Sequence, residues 1–238
     1  MYIDHIDIIT SHKCNNKCKH CIDKFIHCNE EEISLETIKM FLDKVKPHVG
    51  DRKLTVLLLG GEPTMLSEEK LIEIAKLIRS YGWNPSMSTN GIQKNKIINI
   101  LPYFNWIQIT VNNSKQIEFW KNVPNSDHIN FKIPGGENLN LQTIEWFAGQ
   151  PGLARKSISM YFTPDFHEVC KDPYVWELLD TLNWKRNGSY EYAFYKGIRI
   201  KKCIHGETNI IDEPTVPKVY PNGNYNKTWD NEDMDDYL

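Results

Sequence analysis

Short apolar runs of strand length alternate with stretches of helical periodicity through the first two thirds of this chain. The run 54–59 is almost wholly apolar, as is typical of a strand buried on both faces. After Ser67, a good helix N-cap, Leu71, Ile74 and Ile78 recur on one helical face. Such alternation predicts a parallel sheet with right-handed crossovers. Six strands, without an obvious seventh or eighth, predict an α/β fold, either an incomplete barrel or an open doubly wound sheet.

The predicted elements form a core followed by an extension. We expect strands at residues 3–9, 54–59, 85–88, 106–111, 129–133 and 158–162, with helices from Ser34 to a stop at Pro47, from Ser67 to a stop at Gly82, and over 94–101 and 142–147. Beyond about residue 164 we expect a helix from Pro173, a strand or hairpin over 190–200, a loop-like segment from Glu213 and an acidic tail from about residue 229. The sequence therefore predicts a core over residues 1–165 and a C-terminal extension, residues 166–238, that covers or flanks it.

Three cysteines follow the first predicted strand in the pattern C-x-x-x-C-x-x-C: Cys14, Cys18 and Cys21. Three thiolates on one loop suit a [4Fe–4S] cluster with one iron left open for another ligand. A closed structural zinc site is the alternative, and it would need a fourth protein ligand such as His12, His20 or His27. Cys28 could also serve as a fourth ligand, or it could be a small buried apolar residue.

Three further loops follow predicted strands: Gly60-Gly61-Glu62-Pro63, Ser88-Thr89-Asn90-Gly91 and Thr110-Val111-Asn112-Asn113. The carboxyl ends of parallel strands share one edge of the sheet, where α/β folds place their sites. Glycines let the backbone approach a ligand closely, and Glu62 can hold an ammonium group. Neutral hydrogen-bonding side chains suit ribose hydroxyls or a carboxylate: Ser88, Thr89, Asn90, Thr110 and Asn112. Each tetrapeptide alone could also be an ordinary turn or helix cap.

These motifs together resemble those of the radical S-adenosylmethionine (radical SAM) superfamily, over roughly residues 1–165. The resemblance implies a partial (β/α)6, TIM-like barrel and a [4Fe–4S] cluster on Cys14, Cys18 and Cys21. It also implies that the methionine part of S-adenosylmethionine (SAM) chelates the open iron. An electron from the cluster would then cleave SAM to methionine and a 5′-deoxyadenosyl radical that abstracts hydrogen from a substrate.

The same resemblance implies which residues contact SAM. Glu62 would contact its amino group, and His20 would lie near the adenine. Thr110 and Asn112 match the position that contacts the ribose, although many relatives carry an acidic residue where Asn112 stands. The expected SAM-binding residues are His20, Gly60, Gly61, Glu62, Pro63, Ser88, Thr89, Asn90, Thr110 and Asn112.

Two classes of substrate are open for a member of this family. Residues 199–206 and 220–223 faintly resemble the start of the auxiliary-cluster extensions of peptide-modifying relatives, which favours a ribosomally made peptide or a protein side chain. A second all-cysteine cluster is not expected, because Cys28, Cys170 and Cys203 are too few. The compact size favours the alternative, a small metabolite or nucleotide-like molecule.

Several residues are candidates to face or act on the substrate. Cys203 and Tyr161 are candidate catalytic residues, with an incidental buried position the alternative for Cys203. The basic group Arg199, Lys201 and Lys202 is either a solvated strand edge or a site for an anionic substrate or a peptide carboxylate. Barrel-lining candidates are Lys132, Pro134, Gly135, Glu137, Tyr161 and Thr163.

Composition excludes other classes of partner. The formal net charge of −3 gives no general attraction to nucleic acid or to membrane, and no stretch approaches the ~20 apolar residues of a membrane span. The N-terminus lacks a signal peptide pattern, so we expect a cytoplasmic protein. The resemblance to the radical SAM superfamily implies a reductant such as flavodoxin or ferredoxin. A protein of another class, an iron–sulfur electron carrier or a zinc-binding module, would have no need of Glu62.

Overall fold

A computed structural model describes residues 3, 5–18, 21, 31–111, 114–120, 123, 126–136, 139–150, 153, 155–160, 170–187, 190–203 and 217–226. By compactness the chain divides into two units. The first contains Met1–Gln108 and Pro214–Leu238, and the second is Ile109–Glu213. The division expected at about residue 165, where the pattern of predicted elements changes, stays a prediction.

Strands and helices alternate six times, as a (β/α)6 core requires. These elements are β1 His5–Ile9, α1 Leu35–Val49, β2 Thr55–Leu59, α2 Glu68–Ser80, β3 Asn84–Thr89, α3 Lys94–Ile100, β4 Trp106–Thr110, α4 Ser114–Trp120, β5 Ile129–Gly135, α5 Leu141–Ala148, β6 Arg155–Met160 and α6 Pro173–Asp180. Five short strands follow: β7 Lys185–Asn187, β8 Tyr190–Tyr195, β9 Ile198–Cys203, β10 Lys218–Val219 and β11 Tyr225–Asn226. The expected α/β class with parallel strands is confirmed.

In the first unit, β1, β2 and β3 are parallel neighbours, and their carboxyl ends therefore lie at the same edge of the sheet. Helices α1 and α2 begin at side-chain caps, because Ser34 Oγ accepts from Thr37 N and Ser67 Oγ accepts from Lys70 N. Ile38, Phe41 and Leu42 of α1 are fully buried. This arrangement brings the loops after β1, β2 and β3 together.

In the second unit the strand order is β5-β6-β9-β8-β7. β5, β6 and β9 are parallel, whereas β8 pairs antiparallel with both β9 and β7. The β8–β9 turn places Lys196 and Gly197 at positive φ, 45° and 79°, as a two-residue hairpin of type I′ requires. The hairpin alternative for residues 190–200 is therefore the right one.

Three expectations about the elements were wrong. Helix α1 runs through Pro47 to Val49, although Pro47 has no N–H to donate to the carbonyl four residues earlier; the helix continues past it, and Gly50 N donates to Lys46 O at its end. Helix α4, which buries Ile117 and Trp120, was not expected from the sequence. The segment after Glu213 is not all loop, since β10 pairs in parallel with β1, and β11 pairs antiparallel with β10.

Within the described ranges, no helix is both long and apolar enough to span a membrane.

Candidate functional site

The Glu62 carboxylate is the most tightly held group at the edge where β1, β2 and β3 end. Glu62 is only 1% exposed. Oε1 accepts from Thr64 N at 3.0 Å, Thr64 Oγ1 at 2.7 Å and Thr89 Oγ1 at 2.6 Å. Oε2 accepts from Asn90 N at 2.7 Å. A carboxylate has about four acceptor sites, so Oε2, with one donor among the described residues, can accept another from a ligand.

The two glycines before Glu62 lie against the backbone that leads into the cysteine loop. Gly61 N donates to Ser11 O at 2.7 Å, and Glu62 N donates to Lys13 O at 2.8 Å. A Cβ on Gly60 would lie 2.6 Å from Ser11 O, and one on Gly61 would lie 2.7 Å from the carbonyl carbon of His12. Side chains are excluded here by this protein backbone, which is a different reason from the ligand approach expected from the sequence.

The cysteine loop is also joined to the loop after β3. Asn90 Nδ2 donates to Asn15 Oδ1 at 2.7 Å, and Lys13 N donates to Ser11 Oγ at 3.0 Å. The Asn90 amide side chain therefore links the cysteine loop to a residue whose backbone N–H holds Glu62. Three loops are fastened to one another through hydrogen bonds.

The three cysteines lie on the surface side of this loop. Cys14 is exposed, Cys18 and Cys21 are half-buried, and Cys21 N donates to Cys18 O at 3.2 Å. The pKa of Cys18 is raised, first by burial and then by the negative charges of Cys21, Cys14 and Glu62. Glu62 is thus close enough to the triplet to influence its charge. In the described part of the chain, no three ligand side chains are gathered to hold an ion.

Some of the other residues predicted to contact SAM lie in the part of the chain that the structure describes. Ser88 Oγ accepts from Gln108 Nε2 at 3.3 Å, and Thr110 ends β4 in the second unit. Their ligand contacts, and those of Thr89 and Asn90, stay predictions. Outside the described residues lie His20, Asn112, Glu137, Tyr161 and Thr163. Lys132, Pro134 and Gly135 lie in β5, and Cys203 ends β9.

Three residues at the site were missed from the sequence. Thr64 donates twice to Glu62, and its place directly after Glu62-Pro63 was the available signal. Lys96 Nζ donates to Thr64 O and Leu66 O, each at 2.9 Å, and so fixes the turn that follows Glu62. Tyr220 stacks on His12 with ring centroids 6.5 Å apart and planes 10° apart. Nothing in the local sequence of Lys96 or Tyr220 indicates these contacts.

The family model of the radical SAM superfamily matches residues 8–129, just over half of the chain. The match includes the three cysteines, the Gly-Gly-Glu-Pro loop and the loop after β3.

One curated relative is an S-adenosylmethionine-dependent nucleotide dehydratase from Fibrobacter sp. (strain UWH6), 23% identical over 216 residues. The match covers 89% of this chain and 63% of the relative. This chain therefore spans less than two thirds of the relative's length.

Two solved structures are similar in fold. Streptococcus suis SuiB matches with a TM-score of 0.60 at 14% identity, over 96% of this chain and 60% of that one. The structure of anSMEcpe with bound AdoMet and Cp18Cys peptide matches with a TM-score of 0.53 at 12% identity, over 76% of this chain and 59% of that one. At these identities the similarity shows the fold alone.

Proposed function

Because the chain belongs to the radical SAM superfamily, we propose that it is an enzyme in which Cys14, Cys18 and Cys21 hold a [4Fe–4S] cluster and Glu62 holds the SAM amino group. The observation that carries the proposal is the Glu62 carboxylate, which is buried, fixed by four hydrogen bonds and joined to the cysteine loop through Gly61. A buried carboxylate next to three thiolates suits the recognition of a cationic ligand at a metal.

The residues present fit both cofactors. Three cysteines leave one iron of a four-iron cluster open, as binding of SAM through iron requires. Glu62 Oε2 can accept from an ammonium group, while Thr64 and Thr89 keep Oε1 in place. A charge-assisted hydrogen bond of this kind is strong, because the carboxylate is already oriented and shielded from water.

When bound, the cluster supplies the electron that cleaves SAM to methionine and a 5′-deoxyadenosyl radical, which takes a hydrogen atom from the substrate. The chain's own residues orient SAM and exclude water. Pro63 and Thr64 follow Glu62 directly, and both are buried, so they help to keep water away from its carboxylate. Thr89 and Asn90 N prevent the carboxylate from rotating away.

We propose a nucleotide-like, phosphorylated small molecule as the substrate. The support is the curated nucleotide dehydratase, whose match extends over 89% of this chain. The ribosomal peptide favoured by the sequence stays the alternative, and the peptide-bound anSMEcpe structure shares only the fold with this protein.

The test is anaerobic reconstitution with iron and sulfide, followed by reductant and SAM, with 5′-deoxyadenosine measured by chromatography. We expect 5′-deoxyadenosine from the native protein and none from a variant with Cys14, Cys18 and Cys21 all changed to Ala, which loses the visible absorbance of the cluster. Glu62→Ala should keep that absorbance and iron content but bind SAM more weakly.

A reconstituted cluster that yields no 5′-deoxyadenosine with either dithionite or reduced flavodoxin would contradict the proposal. It would favour an electron carrier. A protein that binds one zinc ion in place of the cluster, with Glu62→Ala unchanged in every respect, would favour the zinc-binding module.

A further inference from the structure

One face of the second unit's sheet is covered by helix α5. Lys156 Nζ, in β6, donates to Phe147 O at 3.2 Å and to Ala148 O at 2.7 Å at the end of α5. Tyr195 OH, in β8, donates to the Glu145 carboxylate of the same helix. Side chains alternate between the two faces of a strand, so the neighbours of Lys156 and Tyr195 along their strands lie on the opposite face.

That opposite face is basic. Its residues follow from the strand register, which aligns Lys132 with Ser157, Ser157 with Arg199, and Arg199 with Phe194. A second row aligns Pro134, Ser159, Lys201 and Tyr192. We call Lys132, Arg199 and Lys201, with the two serines between them, the basic face. In the strand segments whose pairing is described, no acidic residue occupies these two rows.

The basic face does not lie on an edge strand. β9 pairs with β6 on one side and with β8 on the other, so the expectation that Arg199, Lys201 and Lys202 lie on an edge strand is wrong, although Arg199 is solvent-exposed. Ser157 and Ser159 are only 4% and 7% exposed, Lys132 and Lys201 are half-buried, and Arg199 is exposed. Neighbouring cations repel one another, and the two half-buried lysines lose part of their solvation. An anionic ligand would reduce both costs, and the exposed Arg199 is accessible to it.

Lys202 shows how a cation on the other face is used. It lies 3.8 Å from the centroid of the Trp184 ring, and burial lowers the pKa of its ammonium group. Lys202 aligns with Glu191 in the register, so an acidic residue is its cross-strand neighbour. It therefore has a packing role, although it is adjacent in sequence to Lys201.

We propose that the basic face binds the phosphate groups of the substrate, an inference that rests on the proposed function. Neighbouring strands are about 4.8 Å apart, so the backbones of Lys132 and Arg199, two strands apart, are separated by about 10 Å. Three cationic side chains that start from strands this far apart can contact several phosphate groups of one ligand, whereas a single carboxylate offers only two oxygens. The Arg199 guanidinium can bind phosphate oxygens in a bidentate manner, and the lysines add point charges. Tyr192 and Phe194 border the face with aromatic surface on which a base can pack.

The experiment measures binding of ATP, adenosine and inorganic tripolyphosphate to the reconstituted protein by calorimetry. Binding of ATP and tripolyphosphate but not of adenosine, weakened by added salt, is expected if charge drives recognition. Arg199→Gln and Lys201→Gln should each weaken ATP binding about tenfold or more, as loss of a hydrogen bond to a charged group predicts. Lys202→Gln, which removes the same charge from the other face of the same strand, is the matched control and should bind ATP within about twofold of the native protein.

Formation of 5′-deoxyadenosine in the absence of ATP separates this inference from the proposed function. Native protein that cleaves SAM but binds neither ATP nor tripolyphosphate, or Arg199→Gln and Lys201→Gln variants that bind ATP as the native protein does, would overturn the basic face as a phosphate site and leave the cofactor assignment standing. Selective binding of an acidic peptide in place of ATP would overturn it too. Failure of SAM cleavage with a full cluster would instead count against the proposed function.

Discussion

Burial of the Glu62 carboxylate is tolerated because both of its oxygens accept hydrogen bonds. A buried charge without such partners is strongly unfavourable, yet here the donors come from Thr64, Thr89 and Asn90. One side of the group is held by its own turn and the other by a loop that lies 27 residues further along the chain. The position of the Glu62 carboxylate therefore depends on the conformation of both loops.

Thr89→Val should reduce SAM affinity without loss of the cluster. The change keeps the side-chain shape but removes the hydroxyl that donates to Glu62 Oε1 at 2.6 Å and accepts from Gly91 N at 3.1 Å. Loss of a hydrogen bond to a charged group costs about 1.5–3 kcal/mol, so we expect the dissociation constant for SAM to rise by about tenfold or more. Equilibrium dialysis with labelled SAM measures this.

Thr89→Ser is the matched control, because it restores the hydroxyl on a smaller side chain. It should bind SAM nearly as well as the native protein. Equal SAM affinity in the Val and Ser variants would mean that the Thr89 hydroxyl does not position Glu62.

Sequence reasoning identified Glu62, Thr89 and Asn90 as site residues but not how they act together. Residue type and place after a strand were sufficient to select them. The bonds between them depend on the distance between loops 27 and 28 residues apart in sequence, which only the register of β2 and β3 sets. Lys96 was missed for the same reason, since it contacts Thr64 across 32 residues.

At the level of elements, the ends of β1 and β2 are packed backbone against backbone. Gly61→Ala should therefore disturb the cysteine loop. The new Cβ would lie 2.7 Å from atoms of the His12 carbonyl group, closer than real Cβ contacts. Overpacking costs about 1–3 kcal/mol, so we expect a lower melting temperature and a smaller yield of reconstituted cluster, measured as iron per protein.

Gly149→Ala is the control for the added methyl group. Gly149 has φ of −72°, and its Cβ would lie at an ordinary 3.6 Å from the nearest atoms. It should leave cluster content unchanged. A Gly61→Ala protein with a full cluster and native stability would show that the loop accommodates the methyl group.

Lys96→Met should loosen the turn that follows Glu62. The Lys96 ammonium group joins helix α3 to Thr64 O and Leu66 O, and each such bond from a charged group contributes about 1.5–3 kcal/mol. We expect both lower stability in chemical denaturation and weaker SAM binding. Lys53→Met, at an exposed position in the same unit, should change neither; a Lys96 variant with native SAM affinity would assign Lys96 to stability alone.

Helices and strands with a clear hydrophobic pattern could be predicted from the sequence, whereas strands of only two residues could not. Helix α2 and strand β2 follow from the spacing of Leu71, Ile74 and Ile78 and from an apolar run. In contrast, β10 has two residues, too few for any pattern, and it exists because β1 offers it a free edge to pair with. A proline such as Pro217 is expected to interrupt a strand, yet its carbonyl oxygen accepts a hydrogen bond from Asp7 N at 2.9 Å.

At the scale of the whole molecule, β10 joins a segment near the C-terminus to the first strand. Lys218 is fully buried and pairs in register with Asp7, which is 3% exposed. Burial raises the pKa of Asp7, while the positive charges of His5 and Lys218 oppose that rise. The first unit therefore contains buried charges of opposite sign contributed by the two ends of the chain.

Lys218→Met should destabilise the protein, because it removes a positive charge that opposes the rise in the Asp7 pKa and so makes the buried carboxyl harder to ionise. Asp7→Asn combined with Lys218→Met should recover part of that loss, because the buried carboxyl whose ionisation Lys218 favours is then absent. Urea denaturation of the native protein, both single variants and the double variant gives the coupling energy. Additive losses would show that Asp7 and Lys218 act independently.

The loss in Lys218→Met should also depend on pH. A raised carboxyl pKa means that the folded protein binds the Asp7 proton more tightly than the unfolded chain, so this group lowers stability as pH rises from its unfolded pKa through its folded pKa. Removal of Lys218 raises that pKa further and widens the window. The difference in melting temperature between native protein and variant should therefore be larger at neutral pH than in mild acid; a difference independent of pH would mean that the Asp7 carboxyl does not sense Lys218.

The close contact of Gly60 and Gly61 with the segment from Ser11 to Lys13 has a consequence for protein engineering. Three cysteines on a short loop look like a motif that could be grafted by itself. The conformation of the first half of that loop, however, depends on its packing against the end of the neighbouring strand. A graft of residues 10–21 onto another parallel sheet would need a recipient whose next strand also ends in two residues without side chains. The transplantable module is the pair of strand endings.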